Sequence, residues 1–195
     1  MQNRSNKPWL MVVLLLLATP WLAQANPGLY GTGFSHGLLH PLMGLDHICA
    51  MLAVGLWAAQ RGGNAIWIVP SAFVGMMFLG GLLGEFGMPL PQVEVAIMAS
   101  VLSLGLLVAA AIRLPVWLSS VIAGVFAIFH GHAHAMETPM NVSAVTYDLG
   151  FILSTSLLHV VGIGFGLAMV RFGKISLVRF AGSAIACCGV LLFVR

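Results

Sequence analysis

Three histidines and an aspartate stand close together in the stretch His36-Gly-Leu-Leu-His40-Pro-Leu-Met-Gly-Leu-Asp46-His47, which runs straight into the apolar segment Ile48 to Ala59. A second set follows in Phe129-His130-Gly-His132-Ala-His134-Ala-Met-Glu137. Imidazole nitrogen and carboxylate oxygen are the donors that borderline divalent metals take, whereas copper(I) asks for sulfur. Side chains on an α-helix advance about 100° per residue, so His36, His40 and His47 fall within roughly 40° of one another. By the same count His130, His134 and Glu137 share a face within about 60°, while His132 points the other way and is free to bond a loop. Glu94, at the start of another apolar run, completes the candidate ligands. Asp148 and Glu85 mark further helix ends, and His159 reads as a hydrogen-bonding packing residue near mid-depth.

These groups must be positioned by elements that are almost wholly apolar. The chain has 195 residues, 60% hydrophobic and 7% charged, with a mean hydropathy of +1.04. A soluble domain carries about 25% charged residues, so this composition excludes one and indicates an all-α, polytopic membrane protein. Ionisable groups at membrane depth are costly, and where they occur they mark an ion or proton path. Residues 1–25 have the layout of a cleaved signal peptide: Arg4 and Lys7, the apolar core Leu10 to Ala18, then Ala23-Gln-Ala25. Residues 26–195 then form one membrane domain of six spans, expected near 34–59, 66–84, 93–112, 116–136, 149–170 and 175–194. Short breakers such as Arg61-Gly-Gly-Asn64 and Arg113-Leu-Pro115 separate them, which implies antiparallel neighbours in one bundle. Gly75, Gly80, Gly81, Gly84, Gly162 and Gly166 are expected at close helix contacts.

Charge orients the bundle. Cytoplasmic loops collect Lys and Arg. With Asn26 on the exported side, the cytoplasmic loops and adjoining helix ends hold Arg61, Arg113, Arg171, Lys174 and Arg179, and only Arg195 departs from the pattern. The expected place is a bacterial inner membrane with the mature N-terminus in the periplasm. All seven histidines and all five acids then lie in the outer half or at the centre. The basic residues are scattered singly and form no nucleic-acid patch. Cys49, Cys187 and Cys188 make neither a CxxC pair nor an even disulfide set. His36 and His40 are expected near the outer mouth and Asp46 and His47 about 15 Å deeper, by helix rise. Pro41 and Gly44 between them are expected to loosen the helix.

His40-Pro-Leu-Met-Gly-Leu-Asp46-His47 resembles the H-P-x-x-G-x-D-H signature of the HupE/UreJ family, and Phe129 to Glu137 looks like that family's second motif, F-H-G-x-A-H-G-x-E. Ala135 stands where the second motif has glycine, and His36 lies outside the first. The resemblance covers essentially the whole mature chain. It implies a hydrogenase- or urease-accessory nickel permease, with cobalt as a second cargo. It also implies that His40, Asp46, His47, His130, His134 and Glu137 belong to the metal path.

The expected function is therefore uptake of a divalent transition metal, Ni2+ or Co2+, as cargo rather than cofactor, by a secondary transporter and not an enzyme. No GxxxxGK[ST] loop for phosphate is present. The competing expectation is an intramembrane zinc-dependent hydrolase with Ser154 or Ser156 nearby. A hydrolase needs ligands at one tight centre, and ligands spread over roughly 15 Å by helix rise favour transport.

Overall fold

The computed structural model describes residues 33–140 and 142–194. The described residues form seven α-helices and no strand: α1 (Gly33–Met43), α2 (Leu45–Arg61), α3 (Ala65–Glu85), α4 (Val93–Ala110), α5 (Val116–Glu137), α6 (Ala144–Arg171) and α7 (Ile175–Val194). The signal peptide expected at 1–25 and the exceptional Arg195 lie outside the described residues. Helices α3 to α7 are each long and apolar enough to cross a bilayer, and α1 with α2 counts as a sixth where the bent pair is taken as one span. The chain is a multi-pass, all-helical membrane protein.

One expectation needs correction. The first span is not a continuous helix: α1 and α2 meet at Gly44 with a bend of 82°. Gly44 adopts an extended backbone (φ −99°, ψ 122°), and its carbonyl accepts the first bond of α2 from the Ile48 amide at 3.1 Å. Pro41, which has no amide hydrogen, stands just before the break. The expected loosening is thus a full corner, and His36, His40 and His47 do not line one straight stripe.

Helix α2 is the centre of the bundle. Ten of its last twelve residues, among them Met51, Val54, Trp57 and Gln60, are buried, as suits a helix surrounded by others. Helix α6 packs on both α1 and α2, α3 packs on α5, and α4 packs on α7. Backbone contact sets the pairings that matter for the ligands. A Cβ on Gly37 would strike the carbonyl of Tyr147, and one on Gly150 the carbonyl of Phe34, so α1 and α6 touch main chain to main chain. Gly131 stands in the same way against the Met77 carbonyl, joining α5 to α3. Gly75 differs from the other expected contact glycines, because its Cβ direction is open space.

The basic end has its own bonds. Gln60 Nε2 donates to the Val108 carbonyl (2.9 Å), Arg179 Nε to Ala109 (2.8 Å), Trp57 Nε1 to Ile112 (3.0 Å) and Arg61 Nε to Leu114 (3.0 Å). Side chains of α2 and α7 are thereby tied to the end of α4 and the loop that follows it. Large apolar side chains such as Trp67, Trp117 and Phe180 stand outward, two-thirds or more exposed, on the surface that lipid covers.

Candidate metal site

The bend brings the last turn of α1 over the first turn of α2, and both face the C-terminal half of α5. His40 on α1 and Glu137 on α5 form an ion pair, Nε2 to Oε2, at 2.8 Å. His134, one turn before Glu137, joins them: one donor atom from each of His40, His134 and Glu137 lies within 4.8 Å of the others. The imidazoles continue inward from this trio. The ring centroid of His134 is 4.6 Å from His40 and 4.5 Å from His47, and His47 is 4.9 Å from His130. Four histidines from three helices therefore stand in van der Waals succession. The roughly 15 Å separation expected from a straight helix does not exist between His40 and His47, whose ring centroids are 6.2 Å apart.

Hydrogen bonds fix which nitrogens are available. Asp46 Oδ1 accepts from the His47 backbone amide at 2.8 Å and from the His47 ring Nδ1 at 2.7 Å. The ring proton is therefore held on Nδ1, and Nε2, buried and without a partner among the described residues, carries the free lone pair. His130 is set in the same manner by a residue that the motifs do not announce. The Ser100 hydroxyl donates to the Ile97 carbonyl at 2.6 Å, so its oxygen accepts from His130 Nε2 at 2.9 Å. That leaves His130 Nδ1 buried with a bare lone pair. Among the described residues, neither nitrogen of His134 has a hydrogen-bond partner. Ligating histidines commonly donate their second nitrogen to a carboxylate or other oxygen in this way.

Aromatic rings wall the group off from lipid. Phe151 lies against His134 at a centroid distance of 3.5 Å, Tyr147 stands 5.9 Å from His40, and Phe73 stands 5.8 Å from His130. A cavity of about 10 Å³, room for a single water, borders His134, Asp148 and Met77. His132 faces away, as its helical position implies, and its Nε2 bonds the Met88 carbonyl of the α3–α4 loop at 2.9 Å.

Of the eight residues singled out, His40, His134 and Glu137 converge on one point, while His47, with Asp46 behind it, and His130 continue the row. His36, half-buried one turn before His40, and Glu94, exposed in the first turn of α4, stand outside the converging trio. Ser100, Phe73, Phe151 and Tyr147 escaped sequence reasoning. A hydroxyl or aromatic ring in an apolar span is unremarkable until its neighbour is known.

Known proteins resemble this chain along nearly its whole length. A family profile described as HupE / UreJ protein matches residues 13–192. Protein HupE of Rhizobium leguminosarum bv. viciae is 50% identical over 183 residues, which cover 93% of this chain and 95% of that protein. No solved structure matches it. The family profile, the half-identical relative and the two histidine motifs agree: the chain belongs to the HupE/UreJ family.

Proposed function

We propose that this protein is an inner-membrane permease that takes up a divalent transition metal from the periplasm for hydrogenase or urease assembly, with nickel as the first cargo and cobalt as the second. The observation that carries this reading is the convergence of His40, His134 and Glu137 within 4.8 Å at one end of a row of imidazoles. Their nitrogen and oxygen donors suit Ni2+, Co2+ and Zn2+. An arriving cation would displace the proton that His40 Nε2 and Glu137 share, gaining a carboxylate charge and an imidazole in one step. His134 has no bond to a described residue to give up and supplies the next nitrogen. His47, its lone pair set by Asp46, and then His130, its lone pair set by Ser100, accept the ion in turn. Neighbouring stations this close let one ligand be exchanged at a time, so the ion is never left bare in the membrane. The carboxylates Glu137 and Asp46 offset its double charge along the way.

The same convergence also meets the demand of a catalytic zinc for three ligands at one centre, so distance between ligands does not argue against an intramembrane hydrolase. The continuation of the row through His47 to His130 favours passage over a fixed centre. Radiolabelled nickel uptake in a strain without other nickel transporters separates the two. The expected result is accumulation with the wild-type chain and loss with His134→Ala and with His47→Ala. Wild-type accumulation in both variants removes this route, and zinc-dependent peptide cleavage without any uptake selects the hydrolase.

A further inference from the structure

His47 and His130 each have an outer partner that holds the ring: Asp46 for the first, Ser100 for the second. Glu137 is held by His40, itself a proposed ligand, so that bond is lost when a cation takes the His40 nitrogen. Beside this pair stands a hydroxyl with nothing to hold. Tyr147 is 1% exposed, and its hydroxyl oxygen is buried without a hydrogen-bond partner among the described residues. Its ring stands edge-on to His40 at a centroid distance of 5.9 Å, and of the charges that act on it Glu137 comes first, ahead of Asp148. The backbone beneath the ring is fixed. The Tyr147 carbonyl lies where a Gly37 Cβ would stand, and the Tyr147 amide donates to the Ser143 carbonyl at 3.1 Å. A tyrosine kept for packing alone would be served as well by phenylalanine, because a buried hydroxyl without a partner gives up its bonds to water and gains none. Such a group in a native interior asks for a use in a state other than the one observed.

We propose that Tyr147 is a positioning residue of the occupied site: its hydroxyl donates a hydrogen bond to the Glu137 carboxylate when a cation replaces the proton shared by His40 and Glu137. The inference rests on the permease reading above and adds to it a residue that neither histidine motif contains. In the metal-free arrangement Glu137 Oε2 faces His40 Nε2 at 2.8 Å, and the pair satisfies itself. An arriving cation draws the His40 nitrogen and one carboxylate oxygen to itself. The carboxylate, with lone pairs to spare, then loses its imidazole donor and takes the phenol in its place. Carboxylates that bind metals are themselves held by hydrogen bonds, and bonds to the charged form are the stronger ones. Because the donor is unpaired in the empty site, its bond is made in the loaded state alone and favours loading over the closed pair.

The test uses the full chain in nanodiscs, with nickel binding by equilibrium dialysis and cooperative melting without metal, beside nickel-63 uptake after reconstitution. Tyr147→Phe removes one oxygen and keeps the ring. It is expected to weaken nickel binding about tenfold and to slow uptake, while the metal-free chain melts at or above the wild-type temperature. Lower melting without metal would mean that the hydroxyl already has a partner in the empty state. Wild-type affinity would mean that it has none in the loaded state. Either result overturns the proposal and leaves the permease reading standing. A second measurement covers a Tyr147→Phe chain that fails to fold. The sequence has two tyrosines, so Tyr30→Phe leaves Tyr147 alone to report. The phenol C–O band of Tyr147 in the infrared is expected to shift when nickel is added, and a band that nickel leaves in place overturns the proposal. In a Glu137→Gln chain, whose acceptor is neutral, Tyr147→Phe is expected to cost less affinity than in wild type, and an equal cost overturns Glu137 as the acceptor. A wild-type chain that accumulates no nickel sinks the permease reading, and one that binds none sinks this role with it.

Discussion

At the scale of single residues, Asp46 acts through another side chain. Its carboxylate is bonded to the His47 amide and to the ring Nδ1, so the nitrogen left for a ligand is Nε2. Asn at 46 keeps an oxygen acceptor but removes the charge that holds the ring proton in place, and its amide nitrogen can turn to donate instead. Asp46→Asn is therefore expected to lower nickel uptake about ten- to a hundred-fold, the usual cost of losing a histidine's outer partner, with melting unchanged. Nickel-63 uptake beside a thermal melt checks both halves, and an unchanged uptake would make the Asp46–His47 bond an ornament of packing. The same dependence on bare lone pairs sets the response to acid. Protons and a metal compete for the imidazole nitrogens, and protonation removes ligands, so acid is expected to weaken nickel uptake. Nickel-63 uptake followed as the outside is acidified checks the sign, and uptake that rises with acid would argue against histidine ligation.

At the scale of elements, the corner between α1 and α2 turns a surface motif into a three-dimensional cluster. Gly44 is there for space and not for a special backbone angle, since its φ and ψ are open to any residue. A Cβ at 44 would come within 2.5 Å of Asp46 Oδ1 and 2.9 Å of His47 Nδ1, the two atoms that form the orienting bond. Gly44→Ala is thus expected to displace that pair and depress uptake as Asp46→Asn does, while far-ultraviolet circular dichroism keeps its helical signal. Normal uptake would mean the pair can shift without cost. Much of this architecture was legible beforehand: long apolar runs and short breakers gave the spans, and helical phase set His132 apart from His130 and His134. The bend was marked only as a loosening, because Pro41 and Gly44 reveal a weak point, whereas the 82° turn depends on α1 resting backbone to backbone on α6 through Gly37 and Gly150. Periodicity assigns a face and a depth, but it does not say which helix stands opposite. For that reason His40 could not be paired with Glu137, Ser100 could not be joined to His130, and Gly75 could not be told from Gly80.

At the scale of the whole molecule, the donors and the fixed positive charges occupy opposite ends. The carboxyl and imidazole trio opens near the α3–α4 and α5–α6 loops, whereas Arg61, Arg171 and Lys174 stand at the loops of the other end, where Arg61 and Arg179 also bond carbonyls of the α4 terminus and its loop. If basic loops stay in the cytoplasm, the trio faces the periplasm, as the proposed uptake requires. Two loop residues test this without altering any candidate ligand. Met140, fully exposed after α5, and Asn64, exposed before α3, lie at opposite ends of the bundle. In a chain whose Cys49, Cys187 and Cys188 are replaced by alanine, Met140→Cys is expected to react with a membrane-impermeant maleimide in cells with a permeable outer membrane. Asn64→Cys is expected to react only after the inner membrane is opened. The reverse pattern would put the carboxylate and histidine cluster on the cytoplasmic side and argue against the proposed uptake.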